Sequence, residues 1–185
     1  MLEQVGLPRR LFDRYPHQVS GGQAKRVVVA RALVLRPKLV IADEPTAGLD
    51  VSVQGELLNL LVALQAELGL AYLLITHNLA MARRVSDRIA VMYLGRIVEI
   101  GPTEAVYGQP AHPYTASLLH PAEALPVRRG EPPGIWQPLP GCAFHTLCPV
   151  ARDRCRVETP ERLSVGPGHE AACHFPLTGP AHDHE

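Results

Sequence analysis

Two adjacent carboxylates close an apolar run in "KLVIADEPTAGLD", residues 38–50, and they are the first chemistry the chain offers. A strand ending at Asp43 sets that carboxylate at the carboxyl edge of a sheet, where α/β folds bind their ligands. There Asp43 can hold magnesium, usually through water, as hard oxygen ligands do. Glu44 leaves the strand end on the other side and can orient or deprotonate an attacking water. Upstream, "HQVSGGQAKRVVVARAL" puts Ser20, Gly21, Gly22 and Gln23 at the mouth of a helix. Backbone N–H groups and the helix dipole favour a phosphate at such a place. His77 follows the run "LLIT" and can hydrogen-bond a terminal phosphate. Each feature also has a plainer reading: an acidic turn, a helix cap, a surface or core histidine.

The four cysteines form a second group. Cys142, Cys148, Cys155 and Cys173 are spaced Cys-x5-Cys-x6-Cys-x17-Cys. Clustered cysteines in a cytosolic chain read as metal ligands rather than disulfides. The Cys-x2-Cys pairs common in zinc sites are missing, yet four soft thiolates suit either zinc or an iron–sulfur cluster. His145, His169 and His174 lie nearby and read as solvent-exposed or packing histidines. The segment has too few apolar residues for a core of its own, so bound metal is expected to order it.

These groups need elements to position them. Ser20 suits the cap of a helix from Gly21 to about Leu35, which Pro37 stops. "KLVIA" (38–42) and "AYLLIT" (71–76) are short apolar runs of buried parallel-strand type. Asp50 can cap a helix from Val51 to Leu68, on which Leu57, Leu60, Leu61, Leu64 and Leu68 recur at helical spacing before Gly69. A short helix, Leu79 to Val85, leads into a hairpin, "RIAVMYL", Gly95, "RIVEI". Strand–helix–strand order implies a parallel α/β core. Prolines 121, 126, 132, 133, 138 and 140 then rule out regular helix or central strand and place a boundary near residue 121. The terminal "HDHE" reads as disordered.

Composition excludes several functions. With 185 residues and 46% hydrophobic content, the chain can hold one ordinary domain and an appendage. Eighteen basic residues balance eighteen acidic ones, so no net field points to nucleic acid or an anionic membrane. No apolar run approaches the roughly 20 residues that span a bilayer. "MLEQVGLPRRLFDRYP" lacks the apolar core of a signal peptide. The chain reads as cytoplasmic, with any membrane role through a partner.

Taken in order, "YPHQVSGGQ", "LVIADEPTAGLD" and "LLITHNLA" closely resemble the ATP-binding subunits of ABC transporters. "LDVSVQ" and "HPYTASLL" resemble their oligopeptide/dipeptide importer branch. The resemblance implies that Ser20, Gly21, Gly22 and Gln23 are the signature, which contacts the γ-phosphate of ATP held by the opposite subunit. It implies that Asp43 is the Walker B aspartate on Mg2+ and Glu44 the catalytic glutamate. Asp50 closes the D-loop, which crosses the dimer interface, and His77 is the switch histidine. Val19 stands where leucine is commoner. "AKR" follows the signature where "RQR" is usual, so position 24 loses a basic residue while Lys25 and Arg26 keep positive charge there. The cysteine segment resembles the C-terminal extension of peptide-importer ATPases, some of which carry a 4Fe–4S cluster; Cys142, Cys148, Cys155 and Cys173 match those cysteines.

The P-loop pattern Gly-x-x-x-x-Gly-Lys-Ser/Thr does not occur. Of the two lysines, Lys25 follows Ala24 and Lys38 follows Pro37. The expected fold is α/β: a partial P-loop-NTPase-like parallel sheet with helices over residues 1–120, lacking the family's N-terminal half. A small loop-rich, cysteine-containing C-terminal extension follows over 121–185. The loss of neighbouring strands is expected to leave apolar faces exposed. The implied function is a truncated, ATP-hydrolysing energy-coupling subunit of a peptide importer. Its cofactors would be ATP, Mg2+ and a 4Fe–4S cluster, with Zn2+ as the alternative. Its implied partners are transmembrane permease subunits and a second ATP-binding subunit, on the inner face of the cell membrane. The rival reading is a non-catalytic metal-binding interaction module or a gene remnant. In either case the chain alone is expected not to hydrolyse ATP, because the phosphates lack their backbone cradle and lysine.

Overall fold

A computed structural model describes residues 1–120, 126–128 and 140–178. Most of the proline-rich boundary segment and the terminal "HDHE" therefore lie outside the described residues. The chain forms two compact units, Met1–Val85 and Ser86–Glu185.

In the first unit, helix α1 (Gly21–Leu33) leads to strand β1 (Leu39–Asp43), helix α2 (Val51–Leu68), strand β2 (Ala71–Ile75) and helix α3 (Leu79–Val85). Strands β1 and β2 pair in parallel, Leu39 opposite Ala71 through Asp43 opposite Ile75. Leu33 of α1 and Leu64 of α2 are buried in one core with Val5, Leu7, Ala30 and Leu70, and Val40 and Tyr72 of the strands pack against it. Helix α2 ends where the sequence indicates, with Gly69 left-handed at φ 63° and its N–H donating to the Gln65 carbonyl. Helix α1 stops before its expected end. Arg36 turns left-handed at φ 49°, since a residue preceding proline is disfavoured in helix.

The strands differ from the expectation of burial on both faces. Leu39, Ile41, Leu73 and Ile75 are exposed, while the alternate residues are half-buried. The helical core covers one face of a sheet with only two strands, so every second apolar side chain meets solvent.

The second unit is built on a four-stranded antiparallel sheet. Strands β3 (Arg88–Tyr93) and β4 (Arg96–Pro102) form the expected hairpin. Its turn is Leu94–Gly95, both at positive φ (45° and 77°), the backbone of a tight two-residue connection. Helices α4 (Thr103–Gly108), α5 (Pro113–Leu119) and α6 (Asp153–Val157) follow, then strands β5 (Leu163–Gly166) and β6 (His169–Ala171). The sheet order is β3-β4-β6-β5. The cysteine segment is thus tied to the hairpin rather than standing alone, and the expectation that it lacks a core is corrected. Phe144, Leu147 and Cys148 share a buried cluster with Tyr93 and Val98. Consistent with this pairing, the compact units divide ahead of the hairpin rather than near residue 121.

Glu99 organises this unit. It sits on β4 with no exposure, its Oε1 accepting from the Ala111 N–H and its Oε2 from the His112 N–H, each at 2.8 Å. His169 Nε2 on β6 lies 2.7 Å from the same Oε1. A buried carboxyl group is tolerated only with such full satisfaction. One side chain therefore joins β4, the chain entering α5, and β6. Glu99→Ala removes the acceptor from all three donors and is expected to lower stability by about 3 kcal/mol, the lower end for breaking a buried polar pair. Urea unfolding checks it; an unmoved midpoint would show that the three contacts carry no net stability.

Candidate nucleotide-facing site and cysteine cluster

Ser20 is the cap of α1, its Oγ accepting from the Gln23 N–H at 3.2 Å. Gln23 reciprocates, its Oε1 accepting from the Ser20 N–H at 3.0 Å. This capping box leaves the helix mouth pre-formed. Asp50 caps α2 in the same way, its Oδ1 accepting from the Val53 N–H at 3.0 Å. The two caps share one cleft of about 340 Å³, lined by Ser20, Gly21, Gly22, Gln23, Arg26, Gly48, Leu49, Asp50, Val53 and Glu56.

Gly22 explains how the two helix starts come so close. A Cβ there would stand 2.7 Å from Val53 Cγ1, inside van der Waals contact. Arg26 ties the helices together further along, donating to the Val5 carbonyl at 3.2 Å and to Glu56 Oε2 at 2.9 Å. Sequence reasoning assigned Arg26 only a positive charge and missed Glu56 and Val53. The helical periodicity of α2 was the available signal, since it sets Val53 and Glu56 one turn apart.

Asp43, Glu44 and His77 form a second constellation at the carboxyl ends of β1 and β2. Asp43 is exposed at the strand end, opposite Ile75. Glu44 turns left-handed at φ 45°, an uncommon conformation for a residue with a Cβ, while its N–H still donates to the Ile75 carbonyl at 2.9 Å. Its Oε1 accepts from the His77 N–H at 3.0 Å and lies 2.7 Å from His77 Nδ1. The His77 hydrogen bond holds the Glu44 carboxyl below the usual glutamate range. The two carboxylates therefore have separate surroundings: Asp43 open, Glu44 engaged by the histidine. None of these three lines the cleft at the helix caps.

In the second unit the four cysteines are free thiols. Gly141 permits the approach of two of their segments. At φ 76°, its missing Cβ would fall 2.3 Å from the Cys155 carbonyl oxygen, which accepts from the Cys142 N–H at 2.8 Å. Cys148 closes a turn on the Phe144 carbonyl, and Cys155 lies buried on α6. Cys173 lies two residues past the end of β6. Burial pushes the thiols up, Cys148 to about 11 and Cys173 to about 12, with neighbouring cysteines adding to the shift in each case. Burial likewise raises Cys142, and Cys155 adds to that. The thiols thus sense one another. Among the described residues, however, no three His, Cys, Asp or Glu side chains gather closely enough to hold a single metal ion. Of the nearby histidines, His169 packs against Glu99, while His145 and His174 bond backbone carbonyls. A cleft of about 470 Å³, lined in part by Cys142, Phe144, Arg96 and Arg162, opens beside the cluster.

The capped helix mouth and the strand-end carboxylates lie on elements similar to those of ATP-binding cassettes of solved structure. A cbiO1 protein from Clostridium perfringens, part of the ABC transporter complex cbiONQ, matches with a TM-score of 0.54 and 37% identity, covering 65% of this chain and 47% of that one. An ATP-binding cassette of an ABC transporter in its ADP conformation matches with a TM-score of 0.56 and 32% identity, covering 63% and 46%. The ABC transporter family model matches residues 1–47, and that of the oligopeptide/dipeptide transporter C-terminal region matches residues 98–155. The chain is 48% identical over 182 residues to the di/tripeptide transport ATP-binding protein DppF of Pseudomonas aeruginosa, covering 94% of this chain and 56% of that protein. It is 44% identical over 188 residues to the oligopeptide transport ATP-binding protein AppF of Bacillus subtilis, covering 95% and 56%. The chain belongs to the ABC transporter ATP-binding family, in its oligopeptide/dipeptide branch. It spans about half the length of these curated relatives.

The Gly22–Val53 contact yields a direct test. Gly22→Ala is expected to destabilise the first unit by about 1–3 kcal/mol, the usual cost of overpacking. Val53→Ala in the same chain should restore much of that loss. Urea unfolding of the single and double variants measures the coupling, and strictly additive losses would exclude the contact as the cause.

Proposed function

We propose that this chain is part of an ATP-hydrolysing, energy-coupling subunit of a peptide importer. The observation that carries this reading is the Glu44–His77 contact of 2.7 Å at the carboxyl ends of two parallel strands. The His77 hydrogen bond favours the carboxylate form of Glu44, which can accept a hydrogen bond from an attacking water and orient it. In this reading Glu44 takes the proton of the attacking water, and His77 fixes the carboxylate while its ring faces the terminal phosphate. Asp43, exposed at the strand end, would hold Mg2+ through water. The ion would neutralise charge that develops on the phosphate oxygens.

The capped mouth of α1 serves the opposite nucleotide. Gly21 and Gly22 would present backbone N–H groups to a γ-phosphate held by a second ATP-binding subunit, while Ser20 and Gln23 hold the mouth in shape through their own N–H bonds. Asp50, capping α2 in the same cleft, would lie at that subunit interface. Residues 1–120 would form the nucleotide-facing part and 121–185 the extension. Among the described residues, no helix is long and apolar enough to cross a membrane. Attachment to the cytoplasmic face of the membrane would therefore run through permease subunits. With a cassette segment supplying the Gly-x-x-x-x-Gly-Lys-Ser/Thr loop ahead of Met1, Glu44→Gln should keep ATP bound but slow phosphate release about 10²-fold or more. Turnover that is unchanged by the substitution would remove Glu44 from the chemistry.

The same reading assigns Cys142, Cys148, Cys155 and Cys173 to a 4Fe–4S cluster. Its support is the donor set, four free cysteines in one compact unit. A tetrahedral zinc draws its sulfurs to about 3.8 Å apart, since each lies about 2.3 Å from the metal. When bound, such a cluster supplies cross-linking of the segment and a one-electron couple. Anaerobic purification should yield a brown protein with about four irons per chain, as a Cys₄-held cubane requires. A colourless preparation with one zinc per chain would decide for zinc.

A further inference from the structure

His77 meets Glu44 with its ring almost wholly in solvent, the side chain being 87% exposed. Packing therefore does not hold the ring, and fixing an exposed side chain costs conformational entropy. The backbone on either side of His77 has to supply the order. Its two neighbours, Thr76 and Asn78, are both polar and both half-buried. Asn78 accepts the Ala82 N–H on its carbonyl and the Met81 N–H on its Oδ1, each at 3.0 Å, which makes it the cap of α3. Its own N–H donates to Thr76 Oγ1 at 3.0 Å. Between these two anchors the His77 N–H donates to Glu44 Oε1, also at 3.0 Å.

A threonine hydroxyl that accepts one hydrogen bond still has its own proton to donate. The hydrogen bond from His77 does most to favour the charged Glu44 carboxyl, and a hydrogen bond from the Thr76 side chain adds to it. Thr76→Val would keep the branched shape at the end of β2 and supply neither bond. Helix α3 is also tied to the segment that follows Glu44. Thr46, buried in that segment, directs its hydroxyl to Met81 Sδ at 3.5 Å.

We infer that Thr76 and Asn78 are positioning residues of the Glu44–His77 pair: the α3 cap presents the Asn78 N–H to the Thr76 hydroxyl, and that hydroxyl donates a hydrogen bond to the Glu44 carboxylate. Both act through Glu44 and His77 rather than on a substrate. Their bearing on hydrolysis rests on the reading of Glu44 as the water-orienting base, whereas the arrangement itself needs no nucleotide. Unchanged turnover in Glu44→Gln would remove that chemistry and leave this geometry standing.

The test compares the wild-type chain with Thr76→Val, Thr76→Ser, Asn78→Ala and Asn78→Ser by NMR, without nucleotide. Amide exchange at His77 is read together with the titration of the Glu44 carboxyl, identified as the signal lost in Glu44→Gln. Of the titratable groups at these strand ends, His77 faces Glu44 and Asp43 precedes it, and every variant keeps both. Thr76→Val and Asn78→Ala should each speed His77 amide exchange about fivefold or more, as losing one hydrogen bond implies. Glu44 should titrate at higher pH in Thr76→Val, because a donor to its charged form is gone. Thr76→Ser keeps the hydroxyl and Asn78→Ser keeps a cap, so both should stay near wild type. Amides of the β1–β2 ladder should exchange at the wild-type rate throughout. Wild-type exchange at His77 in both Thr76→Val and Asn78→Ala overturns the inference. So does an equal rise along the ladder, which marks general loosening, and so does an unmoved Glu44 titration in Thr76→Val. Should Asn78→Ala fail to fold, the two Thr76 variants decide alone. Should Thr76→Val fail as well, a slowly exchanging Thr76 hydroxyl proton in the wild-type spectrum supports the bond, and its absence overturns it.

Discussion

The parallel pairing of β1 with β2 is the constraint on which the Asp43–Glu44–His77 arrangement depends. Asp43 stands opposite Ile75 in that register, so the next residue, Glu44, can donate its N–H to Ile75 and still reach His77. A shift of one residue would carry the apolar side chains to the other face and separate the two groups. Glu44 also leaves the strand with a left-handed backbone, an arrangement that its hydrogen bonds at both ends help to hold. Strain of this kind is commonly kept where it positions a reacting group. The same two strands hold Val40 and Tyr72 against the helical core, so stability and site geometry share one set of contacts.

The helix caps answer a different requirement. A phosphate-facing helix mouth has to keep its first N–H groups ordered without filling the space in front of them. Ser20 and Gln23 accomplish this by bonding one another's backbone, and Gly22 keeps the α2 start within contact distance. Arg26, bridging Val5 and Glu56, braces the arrangement one turn further on. A change on α2 is therefore felt at the α1 mouth.

In the second unit, Glu99 joins three stretches distant along the chain, and His169 brings β6 to it. The cysteines lie on segments that this network and the Phe144–Tyr93 core already order. These contacts supply the order that the sequence reading assigns to bound metal.

Local features were legible in the sequence because their physics is local. The Ser20 and Asp50 caps act over three residues, and Gly69 and Gly95 mark turns that need positive φ. The apolar runs of β1, β2 and α2 announced their elements through their length and periodicity. Glu99 was not legible: a glutamate within a strand reads as a solvent-facing residue, and its donors lie 12, 13 and 70 residues away. Strands β5 and β6 are too short, among glycines and a proline, to show a pattern; pairing of β6 with β4 and of β5 with β6 makes them strands. Residue type, order and spacing marked Asp43, Glu44, His77 and the four cysteines as candidates. That Glu44 meets His77 across 33 residues, that one face of β1 and β2 stays exposed, and that Tyr93 lies among thiols were decided only by tertiary packing. Side-chain type sets what a group can do, but contacts distant in sequence depend on how whole elements stack.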